Sequence, residues 1–321
     1  MSTRRKAAAK TRGAKPKPTK ATSAKATSAK ATSAKATPAT KEVRHVGIVV
    51  RSASQRALRT AAELADWLRR RDISVALDAT CRKKLEATDI PLFEADAPYD
   101  LVIVLGGDGT LLSVARSVSV PILGVNLGRL GFLTELARKE LYPSLVGILA
   151  GEFEVEERSL FDVALRRTHG EVAHYRAFND AVIGKNALSS IVEIELQVGG
   201  KRVARYRCDG LIVSTPNGAT AYNLSAGGPI LYPSLPVAVL TPICPHTLTL
   251  RPIVVPDTET IEITLKTARE EVFLTVDGQE GDKMGYRDSV LVQRSASNAK
   301  LVRITQRTFY DSLREKLKWG G

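Results

Sequence analysis

Leu101-Val102-Ile103-Val104-Leu105-Gly106-Gly107-Asp108-Gly109-Thr110 decides how this chain folds. Five apolar residues read as a buried strand. Three glycines around one carboxylate then read as a tight turn leading into a helix expected over 111–118. An all-apolar strand that runs through a glycine turn into a helix is the building unit of a parallel α/β sheet. Open sheets of that kind place their ligands at the carboxyl ends of the strands, where Asp108 stands. Glycine also lets the backbone approach a phosphate or a ribose closely. The turn lacks the Gly-Lys-Ser/Thr ending of a P-loop, so it predicts a nucleotide or phosphoryl-transfer site of another kind.

The same alternation extends to both sides. Strands are expected over 45–50, 73–77 and 121–125, and helices over 54–71 and 137–149. Leu58, Ala61, Ala62, Ala65 and Leu68 form one stripe of the first helix. This predicts a doubly wound, Rossmann-like parallel sheet over residues 43–150. The period changes near Gly151. Short alternating or apolar runs at 153–167, 171–178, 191–198, 202–206, 210–214, 237–243, 260–266 and 272–276 are separated by Gly, Pro, Asn and Asp. They predict a β-rich, sandwich-like domain over 151–300. Two last strands are expected at 290–292 and 301–304, and a helix at 309–318.

Net charge is +13, with 47 Lys and Arg against 34 Asp and Glu. Taken whole, that suggests a nucleic-acid binder. Residues 1–41 alone hold 12 basic residues and no acid, leaving 35 basic against 34 acidic in the rest. The basicity belongs to a tail, residues 1–42, built on Ala21-Thr22-Ser23-Ala24-Lys25 and its repeats. A segment without large apolar side chains is expected to be disordered, making weak contacts with polyanions. No apolar run is long enough to span a membrane, and there is no signal-peptide core. Cys81, Cys208 and Cys244 have no metal-site spacing and read as buried thiols of a reducing, cytoplasmic compartment. His45, His169, His174 and His246 show no ligand spacing either.

A second dense segment runs from Cys208 to Pro229. A strand at 210–214 enters a turn holding hydroxyls at Ser214, Thr215, Thr220, Tyr222 and Ser225. Such crowding suits a nucleotide, and Tyr222 offers a face for an adenine. Asn179-Asp180, the glycine-spaced loop Asn126–Gly131 and the hairpin-like Asp277-Gly278-Gln279 are each weak signals alone.

Together these pieces resemble the NAD kinases of bacterial type. The resemblance rests on Gly106–Thr110, Asn126-Leu127-Gly128-x-Leu130-Gly131-Phe132-Leu133-Thr134, Asn179-Asp180, Asp209 through Pro229, Pro245-His246-Thr247-Leu248 and Asp277-Gly278-Gln279, and covers about residues 43–318. The first motif is shared with diacylglycerol, lipid and sugar kinases, which are the alternative reading; the long 209–229 segment separates them. The resemblance implies transfer of the terminal phosphoryl of ATP, or of polyphosphate, to the adenosine ribose 2′-hydroxyl of NAD. It makes Asp108 the proton acceptor and Gly106, Gly107, Gly109 and Thr110 the donor-phosphate loop. It places Asp108, Gly109, Asn179, Asp180, Ser190, Arg207, Asp209, Thr220, Ala221, Tyr222, Asn223, Leu224, Ser225 and Gln279 on NAD. Relatives often carry Glu at the position of Asp180. It also implies that residues 301–321 return to the first domain with the last helix, and it implies Mg²⁺, with no assignable protein ligands, and a homo-oligomer, dimer or tetramer.

Overall fold

Helices cover both faces of the strand that carries the glycine turn, and the rest of the first half is arranged around it. The computed structural model describes residues 37–38, 42–50, 54–128, 131–186, 189–247, 249–304 and 307–318. The basic tail lies outside the described residues, save for 37–38 and 42. In chain order the first half contains β1 (Thr37–Pro38), β2 (His45–Val49), α1 (Gln55–Arg69), β3 (Ser74–Leu77), α2 (Ala79–Lys84), β4 (Leu101–Leu105), α3 (Asp108–Ala115), β5 (Pro121–Asn126), β6 (Leu136–Ala137) and α4 (Leu141–Leu149). The second half begins with β7 (Glu154–Arg166), β8 (Val172–Ala177), β9 (Asp180–Lys185), β10 (Val192–Val198), β11 (Lys201–Cys208), β12 (Gly210–Ser214) and α5 (Tyr222–Ser225). It ends with β13 (Val237–Ile243), β14 (Ile253–Pro256), β15 (Ile261–Leu265), β16 (Val272–Val276), β17 (Glu280–Met284), β18 (Ser289–Arg303) and α6 (Phe309–Leu317).

Strands β3, β2, β4 and β5 lie side by side in that order, all parallel. Val46, Ile48, Leu101, Ile103 and Leu105 pack on one face against Ala61, Leu64 and Leu68 of α1 and Leu145 and Ile148 of α4. Val102, Val104 and Ile122 pack on the other face against Leu111, Val114 and Ala115 of α3. The sheet is therefore doubly wound, and all five residues of β4 are buried. The chain order reverses between β2 and β4, and at such a switch the carboxyl ends open into a ligand crevice.

The second half is a sandwich. One layer is β14-β13-β12-β9-β16-β17, antiparallel throughout. The other contains β11-β10-β15-β18 with β7 and β8. Alternate residues of both layers, such as Ile183, Leu211 and Val213 facing Ile194, Ile263 and Val292, close one apolar core.

Three expectations differ from what the chain does. The two last strands are one, β18. The segment between their apolar stretches, Gln293–Asn298, is polar, so apolar runs alone divide it. Its register against β7 shifts between Arg294 and Asn298, where a bulge absorbs the extra residues and the strand continues. Its first half pairs with β15, and Lys300 and Leu301 pair in parallel with Pro121 and Ile122 of β5. One sheet thus runs through both halves. Helix α3 starts at Asp108 rather than Leu111, because Gly107 caps it and the first turn contains no large apolar residue. Cys244, expected to be buried, is exposed at the corner after β13, whereas Cys81 and Cys208 are buried. Burial pushes both of those thiols up to about 12. Among the described residues, no helix is long and apolar enough to cross a membrane.

Candidate functional site

Asp108 is the first residue of α3, so its carboxylate sits at the positive end of the helix. The loop after β5 holds it. The Phe132 amide donates to Oδ2 at 2.7 Å, and the Leu133 and Thr134 amides donate to Oδ1 at 3.1 and 3.2 Å. The loop is shaped by its own polar residues. Asn126 Oδ1 accepts from the Gly128 amide at 2.6 Å, and Thr134 Oγ1 accepts from the Gly131 amide at 2.8 Å. A Cβ on Gly131 would stand 1.9 Å from Asp108 Oδ1, so only glycine allows this approach. The second glycine motif is therefore an orienting clamp for Asp108. Its Arg129 and Leu130 lie outside the described residues. Gly107 and Gly109 face open space, with nothing within 4 Å of where a Cβ would project.

A second wall comes from the turn after β16. Gln279 Nε2 donates to the Gly109 carbonyl at 2.9 Å, and its Oε1 accepts from Arg116 Nη2 at 3.1 Å. Arg116, buried at the end of α3, also reaches Glu280 at 2.9 Å and lies 3.5 Å from Asp277. Asp277 adopts a φ of +52°, which aspartate tolerates better than most residues. Its buried carboxylate accepts from the amides of Phe178, Asn179 and Asp180 at 2.9, 2.7 and 3.0 Å. The turn that reads as a plain hairpin thus ties β9 and β16 to the helix that starts at Asp108. Asp180 is buried beside Asp277. Burial, and then the charge of Asp277, push its carboxyl up to about 7. Burial also raises the Asp277 carboxyl, against its three amide donors and Arg116.

The third wall is the segment after β12. Thr215 Oγ1 donates to the Phe178 carbonyl at 2.6 Å, and the Thr215 amide donates to the Asn179 carbonyl at 2.8 Å. Gly218 passes so close that a Cβ would meet the Asn179 carbonyl at 2.2 Å. Thr220, Ala221, Tyr222, Leu224 and Ser225 present partly or fully exposed side chains, with Tyr222 47% exposed. Asn223 differs. Its buried amide donates to the Ala219 and Pro229 carbonyls at 3.2 and 3.1 Å and accepts from Thr241 Oγ1 at 2.6 Å. It clasps the turn from inside. A cavity of about 250 Å³ bordered by Phe132, Leu133, Thr134, Thr220 and Tyr232 joins the Asp108 loop to this segment.

Ser190, Arg207 and Asp209 are elsewhere. Strands β9 and β12 pair Asp180 with Ser214 at one end and Gly184 with Gly210 at the other. Asp209, opposite Lys185, therefore lies on the order of 16 Å along the strands from Asp180. It faces Lys185 Nζ at 3.3 Å, and the Ser190 amide donates to Glu270 at 2.8 Å. Among the described residues, no group of three or more His, Cys, Asp or Glu gathers to hold a metal ion. Arg116 carries no signal in the sequence: nothing local distinguishes one arginine at the end of an apolar helix.

Comparison with known proteins points one way. The models for the ATP-NAD kinase N-terminal and C-terminal domains match residues 46–153 and 178–304. NAD kinases of Geotalea daltonii and Geobacter sulfurreducens are 44% and 43% identical over 287 residues, 87% of this chain and 99% of each relative. Among solved structures, yeast NADH kinase complexed with NADH matches with a TM-score of 0.81 at 23% identity, over 88% of this chain and 89% of that one, a likeness of fold. An NAD kinase from Archaeoglobus fulgidus in complex with ATP gives 0.66 at 25% identity, over 86% of this chain and all of that one.

Gly131→Ala drives a methyl group into the Asp108 carboxylate. Turnover is expected to fall at least about 100-fold with the fold intact, as read by steady-state assay and thermal melt; unchanged turnover contradicts the clamp. Asp180 supplies a pH test. Its folded-state value, about 7, lies above the ordinary aspartate value of 3.8. Relative to the unfolded chain, its protonated form is therefore stabilising below about pH 4, and that contribution is lost as pH rises from there through about 7. Asp180→Asn should flatten the stability curve measured by urea unfolding between about pH 4 and 7. A slope as steep as that of the native chain would contradict the assignment.

Proposed function

The chain belongs to the NAD kinase family, and from that premise we propose that Asp108 takes the proton of the adenosine ribose 2′-hydroxyl of NAD as that oxygen attacks the terminal phosphorus of ATP. The new O–P bond forms, the bond to the ADP oxygen breaks, and NADP and ADP leave. The observation that carries this reading is a carboxylate fixed by three amides at the edge of an open glycine turn. Phosphoryl transfer passes through a loose transition state, so positioning and charge stabilisation outweigh bond making. A carboxylate is a weak base, yet it can receive a hydroxyl proton as the oxygen bonds to phosphorus.

The other residues have roles that follow from their placement. Gly107 and Gly109 leave the room along which the donor phosphates lie, beside the amino end of α3. Tyr222 offers its exposed ring to the adenine, with Thr220, Ala221, Leu224 and Ser225 around it. Asn179 and Gln279 supply amides to the adenosine half. Asp180, carrying a proton near neutrality, can donate as well as accept there. Asn223 acts through the shape of the turn. Mg²⁺ is bound in many kinases by one or two carboxylates plus substrate phosphates, an arrangement that needs no cage of protein ligands. Asp108 is the carboxylate of this turn that could reach such an ion, which would neutralise charge on the donor.

Asp209 stands at the far end of β9 and β12, Arg207 on β11 and Ser190 in the loop before β10, so none of the three is part of this wall. We assign them to the NAD path of a neighbouring copy in a homo-oligomer, so that one site draws on two chains.

Asp108→Asn should lower kcat at least about 100-fold while the KM for NAD changes little, because the lost proton acceptor acts in the transition state. Near-normal turnover would sink the role. Mixed oligomers test the second copy. Asp108→Asn and Asp209→Ala, each impaired alone, should recover part of the activity when co-expressed; no recovery would remove Asp209 from the neighbour's site.

A further inference from the structure

Behind the loop that holds Asp108 runs a chain of charged side chains, two buried and two half-buried, that borders the same cavity and that the reaction does not use directly. Glu135 follows Thr134, whose amide holds Asp108. Its Oε2 accepts from Arg303 Nη1 at 2.7 Å, and its Oε1 accepts from the Ile304 amide at 3.0 Å. Arg303, the last residue of β18, donates through Nε to Glu156 Oε2 at 2.6 Å. Glu156 Oε1 lies 3.0 Å from Arg158 Nη2, and Arg158 Nη1 donates to Asn217 Oδ1 at 3.0 Å. Asn217 also donates to the Ser159 carbonyl at 3.0 Å, and its own amide meets Thr215 Oγ1 at 3.1 Å. It directly precedes the turn Gly218–Thr220.

Its two buried members are expensive to bury, which is why the chain calls for a role. Glu135 and Arg158 are 5% and 4% exposed, and among the described residues Arg158 Nε has no hydrogen-bond partner. Apolar side chains could fill the same space at no electrostatic cost, so ionic groups in such a place point to geometry rather than stability. Burial works against the charge of Glu156, yet Arg158 and Arg303 hold its carboxyl below the usual value, so the links are ionic.

We propose that Glu135, Arg303, Glu156 and Arg158 are positioning residues that fix the Asp108 clamp and the Asn217–Thr220 turn relative to each other. The two ends meet different parts of one substrate: the clamp orients the base at the ribose hydroxyl, and the turn leads to the wall that receives the adenine. A rigid ionic link between them sets the distance from base to hydroxyl once the nucleotide is seated. This rests on Asp108 as the proton acceptor.

The test is a double-mutant cycle on purified enzyme with NAD, ATP and Mg²⁺. Glu135→Gln is expected to lower kcat at least about tenfold with the KM for NAD within about threefold, and Asn217→Ala to raise that KM. The double variant should lose at least fivefold less in kcat/KM than the product of the single losses, about 1 kcal/mol of coupling. Glu156→Gln, in the middle of the chain, should abolish the coupling. Arg303→Lys keeps the charge but not the forked geometry and serves if Glu135→Gln does not fold. Losses that multiply, or losses in melting temperature with unchanged kcat, overturn the proposal. Asp108→Asn is assayed beside them. If it stays active, the base assignment fails; if it is inactive and the losses still multiply, the positioning role alone fails.

Discussion

Three backbone amides, those of Phe132, Leu133 and Thr134, converge on the Asp108 carboxylate, and the rest of the site is arranged around that convergence. A carboxylate on a free side chain samples rotamers. This one is fixed at both oxygens, at the amino end of a helix, with Gly131 leaving the space for the approach. The cost of orientation is met in folding rather than in each turnover, which is the condition under which a weak base contributes to phosphoryl transfer.

Holding that clamp against the wall after β12 is a problem of joining two architectures. The α/β sheet supplies the glycine turn and the clamp; the sandwich supplies Asn179, Asp180 and the 215–229 segment. Strand β18 solves the backbone part by pairing with both halves. Arg116, Asp277 and Gln279 solve it on one side of the crevice, and the Glu135-to-Asn217 chain solves it on the other. Each route ends on a backbone group next to a residue assigned to the reaction. Two of the buried arginines leave Nε without a hydrogen bond among the described residues, a cost tolerated where geometry is at stake.

Much of this was legible in the sequence because it is written in local patterns. The apolar run before Gly106 and the alternation of strands and helices fixed the doubly wound half. The short alternating strands predicted the sandwich. The site motifs stood out because glycines and hydroxyls cluster there for geometric reasons. What escaped was long-range. That Asp277 holds the Phe178–Asp180 amides, or that Arg158 reaches Asn217, follows from which strands neighbour each other. No local period encodes that. An arginine at an inward-facing position of β7 was the one available signal, since a charge on a strand's buried face needs a partner. The polar middle of β18 hid a single strand for a similar reason: pairing, not apolarity, keeps it extended.

The most direct measurement is a crystal structure of the complex with NAD. The account predicts the adenosine ribose 2′-oxygen within hydrogen-bonding reach, about 2.6–3.2 Å, of the Asp108 carboxylate, with the Phe132 and Thr134 amides still bound to that carboxylate. A 2′-hydroxyl turned away from Asp108, or a carboxylate that abandons the three amides to meet it, would contradict the account.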